Sequence, residues 1–238
     1  MKTVQFVEPV DEQTRLDVVV EVGTVVIRPS THKEMHIAAS YRHMDVWVER
    51  KGDTVVVRAK QEADFLQRLT RLFSNDHAKA DVVIDLPAHC EVQAKTVTGT
   101  LDVEGIFAPV SARVITGQLK LHNLAGPVYG KTVTGQLLYN GPLSEDNHRF
   151  ETITGEIVLA LPVDTSAELS AQTTTGSVRC QLPLSNRQEE RHFVGGKLRG
   201  TLGSGAGRIK AKITTGSLTI RSLKEKTAEL PAKMVEHA

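Results

Sequence analysis

Aromatic residues are scarce, at 4% of 238 positions, with one Trp, three Tyr and six Phe. So thin a supply argues against the stacking platforms that hold sugars or single-stranded nucleic acid. Neither sign of charge is in excess: 29 Lys and Arg stand against 28 Asp and Glu, a formal net charge of +1. The balance gives no general affinity for polyanions, and no nucleic-acid partner is expected. Cysteine is limited to Cys90 and Cys180, far apart and at no metal-ligand or redox spacing. Both read as small buried thiols. No apolar run reaches the ~18 residues of a transmembrane helix. The opening MKTVQFVEPVDEQTR lacks the apolar stretch of a secretory signal. A cytoplasmic location is therefore expected. What is there, 40% hydrophobic and 24% charged residues, is the composition of a folded chain.

One short phrase is written six times: TVTGTL (96–101), VITGQL (114–119), TVTGQL (132–137), TITGEI (152–157), TTTGSV (173–178) and ITTGSL (213–218). The central glycines are Gly99, Gly117, Gly135, Gly155, Gly176 and Gly216, at steps of 18, 18, 20, 21 and 40. The last step reads as two units, with a worn copy, FVGGKL at 193–198, placing Gly196 midway. Two and four residues after each glycine the side chains are apolar, as in Leu101, Leu119 and Leu137, with mixed residues between. Five and seven before it they are small or apolar, while the position four before is mostly polar. This is a two-residue alternation, so each repeat is a strand, a glycine corner and a second strand. Glycine suits a corner because it takes positive φ without a Cβ clash, and alanine there should cost about 1–2 kcal/mol.

A period near 20 residues predicts an all-β fold, a parallel β-helix or solenoid of about seven to eight coils, each of roughly 18–21 residues. The expected organisation is one domain over 1–238. Within it, 1–88 holds irregular N-terminal strands, 89–222 the repeats, and 223–238 a charged tail. Residues 61–76, QEADFLQRLTRLFSND, place Phe65, Leu66, Leu69, Leu72 and Phe73 on one helical face, predicting a short capping helix. KGD at 51–53 reads as a hairpin turn. The threonines before each glycine suit strands and could stack as a hydroxyl ladder. The column two before the glycine, Val97, Ile115, Val133, Ile153, Thr174 and Thr214, should point outward by strict alternation. The corner is expected to bend it inward. Left outside, it would be the surface best fitted to a partner.

These motifs resemble those of a bacterial family of β-strand-repeat proteins, generally labelled "putative adhesin" or domain of unknown function. The likeness rests on the T-x-T-G-x-[LIV] copies, on VVIDLPAHCEVQAKTVTGTLDV entering them and on the closing GSGAGRIKAKITTGSLTI, and it covers most of 15–222. It implies a parallel β-helix-like fold. Relatives often carry export or membrane segments, and some belong to envelope-stress systems.

Catalytic chemistry is not visible. The column after the glycines, Thr100, Gln118, Gln136, Glu156, Ser177 and Ser217, holds one acid and no paired carboxylates. His32 and His36 in HKEMH read as surface histidines. GSGAG at 203–207 lacks the Lys-Ser/Thr ending of a phosphate loop. No catalytic, metal or cofactor residue is assigned, and the chain is not expected to be an enzyme. Lys95, Arg113 and Lys131 should stack on neighbouring strands; they read as three solvated side chains, the column ending at Glu151, or alternatively as a short anion-binding stripe for an anionic polymer or lipid headgroup. The sequence is read as a non-enzymatic scaffold or adhesin-like interaction module, through a protein partner or self-association. A second reading is an envelope-linked binding module for an anionic glycan or lipid. A third is a carbohydrate-active β-helix enzyme.

Overall fold

The structure, a computed structural model, describes residues 1–61, 77–191 and 194–223. These form fourteen strands. The N-terminal part contains β1 (Lys2–Pro9), β2 (Arg15–Ser30), β3 (Glu34–Arg42), β4 (Met44–Lys51), β5 (Thr54–Gln61) and β6 (Lys79–Pro87). The repeats supply β7 (Glu91–Glu104), β8 (Val110–His122), β9 (Val128–Asn140), β10 (Asn147–Leu161) and β11 (Ala167–Cys180). The chain continues through β12 (Ser185–Arg191), β13 (Gly196–Leu202) and β14 (Gly207–Ser222).

All fourteen belong to one sheet, in the order β1-β3-β6-β2-β7-β8-β9-β10-β14-β11-β13-β12, with β5 paired to β2 and β4 to β5. The sheet is mixed, which overturns the parallel solenoid of seven to eight coils expected from the repeat period. β1 with β3, β3 with β6, β4 with β5, β11 with β13 and β12 with β13 all run antiparallel. Nor do the strands follow chain order, because β14 lies between β10 and β11. The 40-residue step to Gly216 is therefore not two stacked units. Its middle is the β12–β13 hairpin, laid antiparallel on β11, and Gly196 begins β13. The expected capping helix is not seen: the described residues contain no helix, Gln61 ends β5, and 62–76 lie outside them. Of the tail, 224–238 also lie outside. The KGD turn joins β4 to β5, with Gly52 at φ 59°.

Inside the parallel run the alternation holds. Leu101, Leu119, Leu137, Ile157 and Leu218 are fully buried, as are Val103, Leu121, Leu159 and Ile220. Each such side chain contributes about 1.5–3 kcal/mol through removal from water. Upstream of the glycine, Val92, Val110, Val128, Ile209 and Leu169 line the same core. His148 of β10 sits in this aliphatic column, 2% exposed. One ring nitrogen, Nε2, lies 2.9 Å from the Ser144 carbonyl, and Nδ1 has no partner among the described residues.

Burial lowers the His148 pKa from its ordinary 6.5, although the Ser144 carbonyl and Asp146 pull the other way. The unfolded chain therefore takes up a proton first on acidification. The contribution of the neutral imidazole is complete above about pH 6.5 and declines as pH falls towards the lower folded value. His148→Leu should flatten that part of the stability profile, since Leu169 occupies the same column in β11. Thermal melts of both proteins on either side of pH 6.5 check it.

A further buried column lies three residues before the glycines. Thr96, Thr132, Thr152 and Thr173 are buried there, and their hydroxyls have no hydrogen-bond partner among the described residues. In β8 and β14 the same position holds Val114 and Ile213. Thr132→Val keeps the shape and removes an unpaired buried hydroxyl. It should raise stability by about 1 kcal/mol, read as a higher urea midpoint.

Candidate functional site

The glycines stand in single file. Gly23 pairs with Gly99, Gly99 with Gly117, Gly117 with Gly135, Gly135 with Gly155, Gly155 with Gly216, and Gly216 with Gly176. All seven have φ between 128° and 140°. Gly23 was not legible as a member, because EVGTVV lacks the threonine of the repeat phrase.

The file marks a convex corner. From two residues before the glycine to one after it, no side chain of β7, β8, β9, β10 or β14 is buried. The Val97, Ile115, Val133 and Ile153 column therefore faces outward, against the expectation that the corner would turn it in. Ile153 is 45% exposed and the other three are half-buried. Alternation persists through Thr96 and its equivalents, which point inward. The bend acts one residue later and turns Thr98, Thr116, Thr134, Thr154, Thr175 and Thr215 out to solvent. No hydrogen bond joins these exposed threonines among the described residues. The cross-strand ladder is one column further on, where Gln118 donates to Gln136 at 2.8 Å and Gln136 to Glu156 at 3.1 Å.

Beside the corner lies a basic face. Lys95, Arg113 and Lys131 are direct neighbours on β7, β8 and β9, as stacking requires. Glu151 follows on β10, but the column does not end there: Lys212 of β14 is its next neighbour. Two residues upstream runs a parallel column of Gln93, Ser111, Tyr129, Arg149, Lys210 and Ser170. Of the twelve outward positions these columns form on six strands, six are Lys or Arg and only Glu151 is acidic. Past β11, Lys197 and Arg199 of β13 sit next to Gln172 and Ser170. At ~4.8 Å per strand the face is about 25 Å wide. A chain with net charge +1 thus sets six of its 29 Lys and Arg against a single acid on one side.

Glu151 organises the centre of this face. Its carboxylate accepts from Arg149 Nε at 2.6 Å and from the Tyr129 hydroxyl at 3.3 Å, with Lys131 Nζ at 3.8 Å. Burial alone would raise its pKa, but Arg149, Lys131 and Tyr129 together hold it below the ordinary carboxylate value. Arg113 and Arg149 flank the Tyr129 ring at 5.1 and 5.8 Å from its centroid, within cation–π range. One carboxylate thus orients the residues around it while most of the cations stay open to solvent. Lys95, Lys210 and Lys212 have no ion-pair partner among the described residues.

The histidine pair of HKEMH does come together, with the His32 and His36 rings 5.7 Å apart, and His36 lies 3.7 Å from Glu34. Among the described residues no group of three or more His, Cys, Asp or Glu is placed to hold a metal. Cys90 is buried, its thiol pushed up to about 11 by burial, and Cys180 is half-buried; both are free thiols. No helix among the described residues is long and apolar enough to cross a membrane.

No protein-family model matches the chain, and no curated protein matches it in sequence. Solved structures similar to it include a "putative cell adhesion protein" from Clostridium sporogenes, 17% identical, with a TM-score of 0.46 over 93% of this chain and 100% of that one. A "putative adhesin" from Bacteroides fragilis is 11% identical, with a TM-score of 0.34 over 92% of this chain and 97% of that one. A "putative lipid binding protein" from Parabacteroides distasonis is 9% identical, with a TM-score of 0.25 over 92% and 96%. The adhesin label of the first two is also that of the family which the repeat motifs resemble.

Proposed function

We propose that the protein is a non-enzymatic, adhesin-like interaction module that binds an extended anionic partner through the basic face of β7–β10 and β14. The observation that carries this reading is the place of β14. By entering between β10 and β11 it sets Lys212 and Lys210 beside Glu151 and Arg149, and turns a three-residue stripe into a broad field. Charges held on a strand frame cannot scatter, so their potentials add over the face. An extended partner matches a face better than a pocket, since each strand offers the same kind of contact one step along.

The test is retention of the full chain on immobilised dextran sulfate over a salt gradient. Wild type should bind at low salt and elute as salt rises, because exposed charge pairs are screened. Replacing Lys95, Lys210 and Lys212 by Gln should move elution to clearly lower salt without changing the thermal melt. Absence of wild-type binding at low salt, or identical elution of the triple variant, would refute the reading.

A further inference from the structure

Building on that anion-binding reading, we infer that the partner is an anionic lipid surface, and that the aliphatic ridge at the glycine corner enters it. Two features lie side by side. The basic columns sit four and six residues before the glycines, and the Val97–Ile115–Val133–Ile153 column sits two before them. All three point outward from the same strand segments. The ridge crosses four neighbouring strands, about 15 Å, on a convex edge. It is bounded by Glu21 of β2 at one end and Thr214 of β14 at the other.

A soluble polyanion would have no use for such a ridge, since its charged groups are met by the cations alone. A bilayer meets both, because its headgroups are anionic and the layer beneath them is apolar. Aliphatic side chains entering that layer gain the energy of leaving water, while Lys and Arg remain at headgroup level. On each strand the exposed threonine one residue on (Thr98, Thr116, Thr134 and Thr154) shares the corner with the ridge, so small hydroxyls rather than charges flank it on that side.

The experiment compares three surfaces with the full chain: phosphatidylcholine vesicles, the same vesicles with added phosphatidylglycerol, and dextran sulfate. Wild type should bind the phosphatidylglycerol vesicles and dextran sulfate, and leave phosphatidylcholine alone. It should also stay on the anionic vesicles at a salt concentration that releases it from dextran sulfate. The double variant Val133→Thr, Ile153→Thr uses the residue that β14 and β11 already carry at this position. It should lower vesicle partitioning on the order of tenfold and leave dextran sulfate elution unchanged. Equal vesicle binding by wild type and variant, or release from vesicles and polymer at the same salt, would overturn the lipid inference while the anion-binding reading stands. Failure to bind either anionic surface at low salt removes that reading and the inference with it. Wild-type salt release needs no variant, so the inference stays open to refutation even if the double variant does not fold.

Discussion

Gly135→Ala should abolish stable folding, or lower stability by more than about 4 kcal/mol. Two penalties coincide at this position. The first is the backbone angle, φ 132°, which L side chains seldom adopt. The sequence alone predicts that penalty, about 1–2 kcal/mol. The second is the larger one. A Cβ on Gly135 would lie 1.9 Å from the carbonyl oxygen of Gly117 and 2.9 Å from its carbon. The obstacle is backbone, held by the ladder on both sides, so no rotamer change clears it. The same collision recurs along the file, at 1.8 Å for Gly99 against Gly23 and at 2.0 Å for Gly117 against Gly99. The strands approach as they do because each glycine lets the next carbonyl occupy the space of a missing side chain.

Gly52→Ala separates the two penalties. Gly52 also has positive φ, 59°, but nothing lies within 4 Å of a Cβ there. It should cost only the conformational share. Urea denaturation of both variants decides: similar losses would mean that the backbone contact along the file has no energetic weight.

The file of glycines and the inward columns were legible because they are local. Alternation about Leu119 or Val110 depends only on the strand that carries them. Strand neighbours are another matter. The position of β14 beside β10 rests on a choice between two edges that share the same pattern, and ITTGSL fits against TITGEI as well as TTTGSV does. Chain order suggested the wrong neighbour, and with it a basic stripe that stopped at Glu151. Lys212 stood in the right column of the sequence, but its adjacency to Glu151 is a fact of topology. The antiparallel β12–β13 hairpin was hidden for a related reason: FVGGKL carries a glycine and a leucine at repeat spacing, and nothing in the phrase reports strand direction. The outward ridge was misjudged by one residue. The bend falls between the valine column and the threonine column, and the polar threonines were the side chains it turned out to solvent.

Phe150→Ala should cost about 3–5 kcal/mol, the range for removing a large ring from a core. Phe150 is fully buried, and it is an exception in its column. The equivalent residues are Ala94, Ala112, Gly130, Ala211 and Ala171, so one phenyl ring stands among methyl groups and a bare backbone. Its direct neighbours are Gly130 on β9 and Ala211 on β14, neither of which has the length to fill a void left by the ring. The frame cannot collapse either, because strand separation on each side is set by backbone hydrogen bonds and by the glycine file. The ring also packs on Tyr139, centroids 5.4 Å apart and tilted by 57°, an arrangement favoured by the aromatic quadrupoles. Tyr139 gives a second readout. Its hydroxyl donates to the carbonyls of Leu124 and Pro142, and burial raises its pKa well above the ordinary 10. Opening the space beside it admits water and lessens that desolvation, so the phenol should ionise at lower pH in the variant than in wild type. Urea unfolding measures the first effect and alkaline absorbance titration the second. A loss below about 1 kcal/mol with an unchanged Tyr139 titration would mean that the core closes over the missing ring, and that strand spacing here is softer than the glycine file implies.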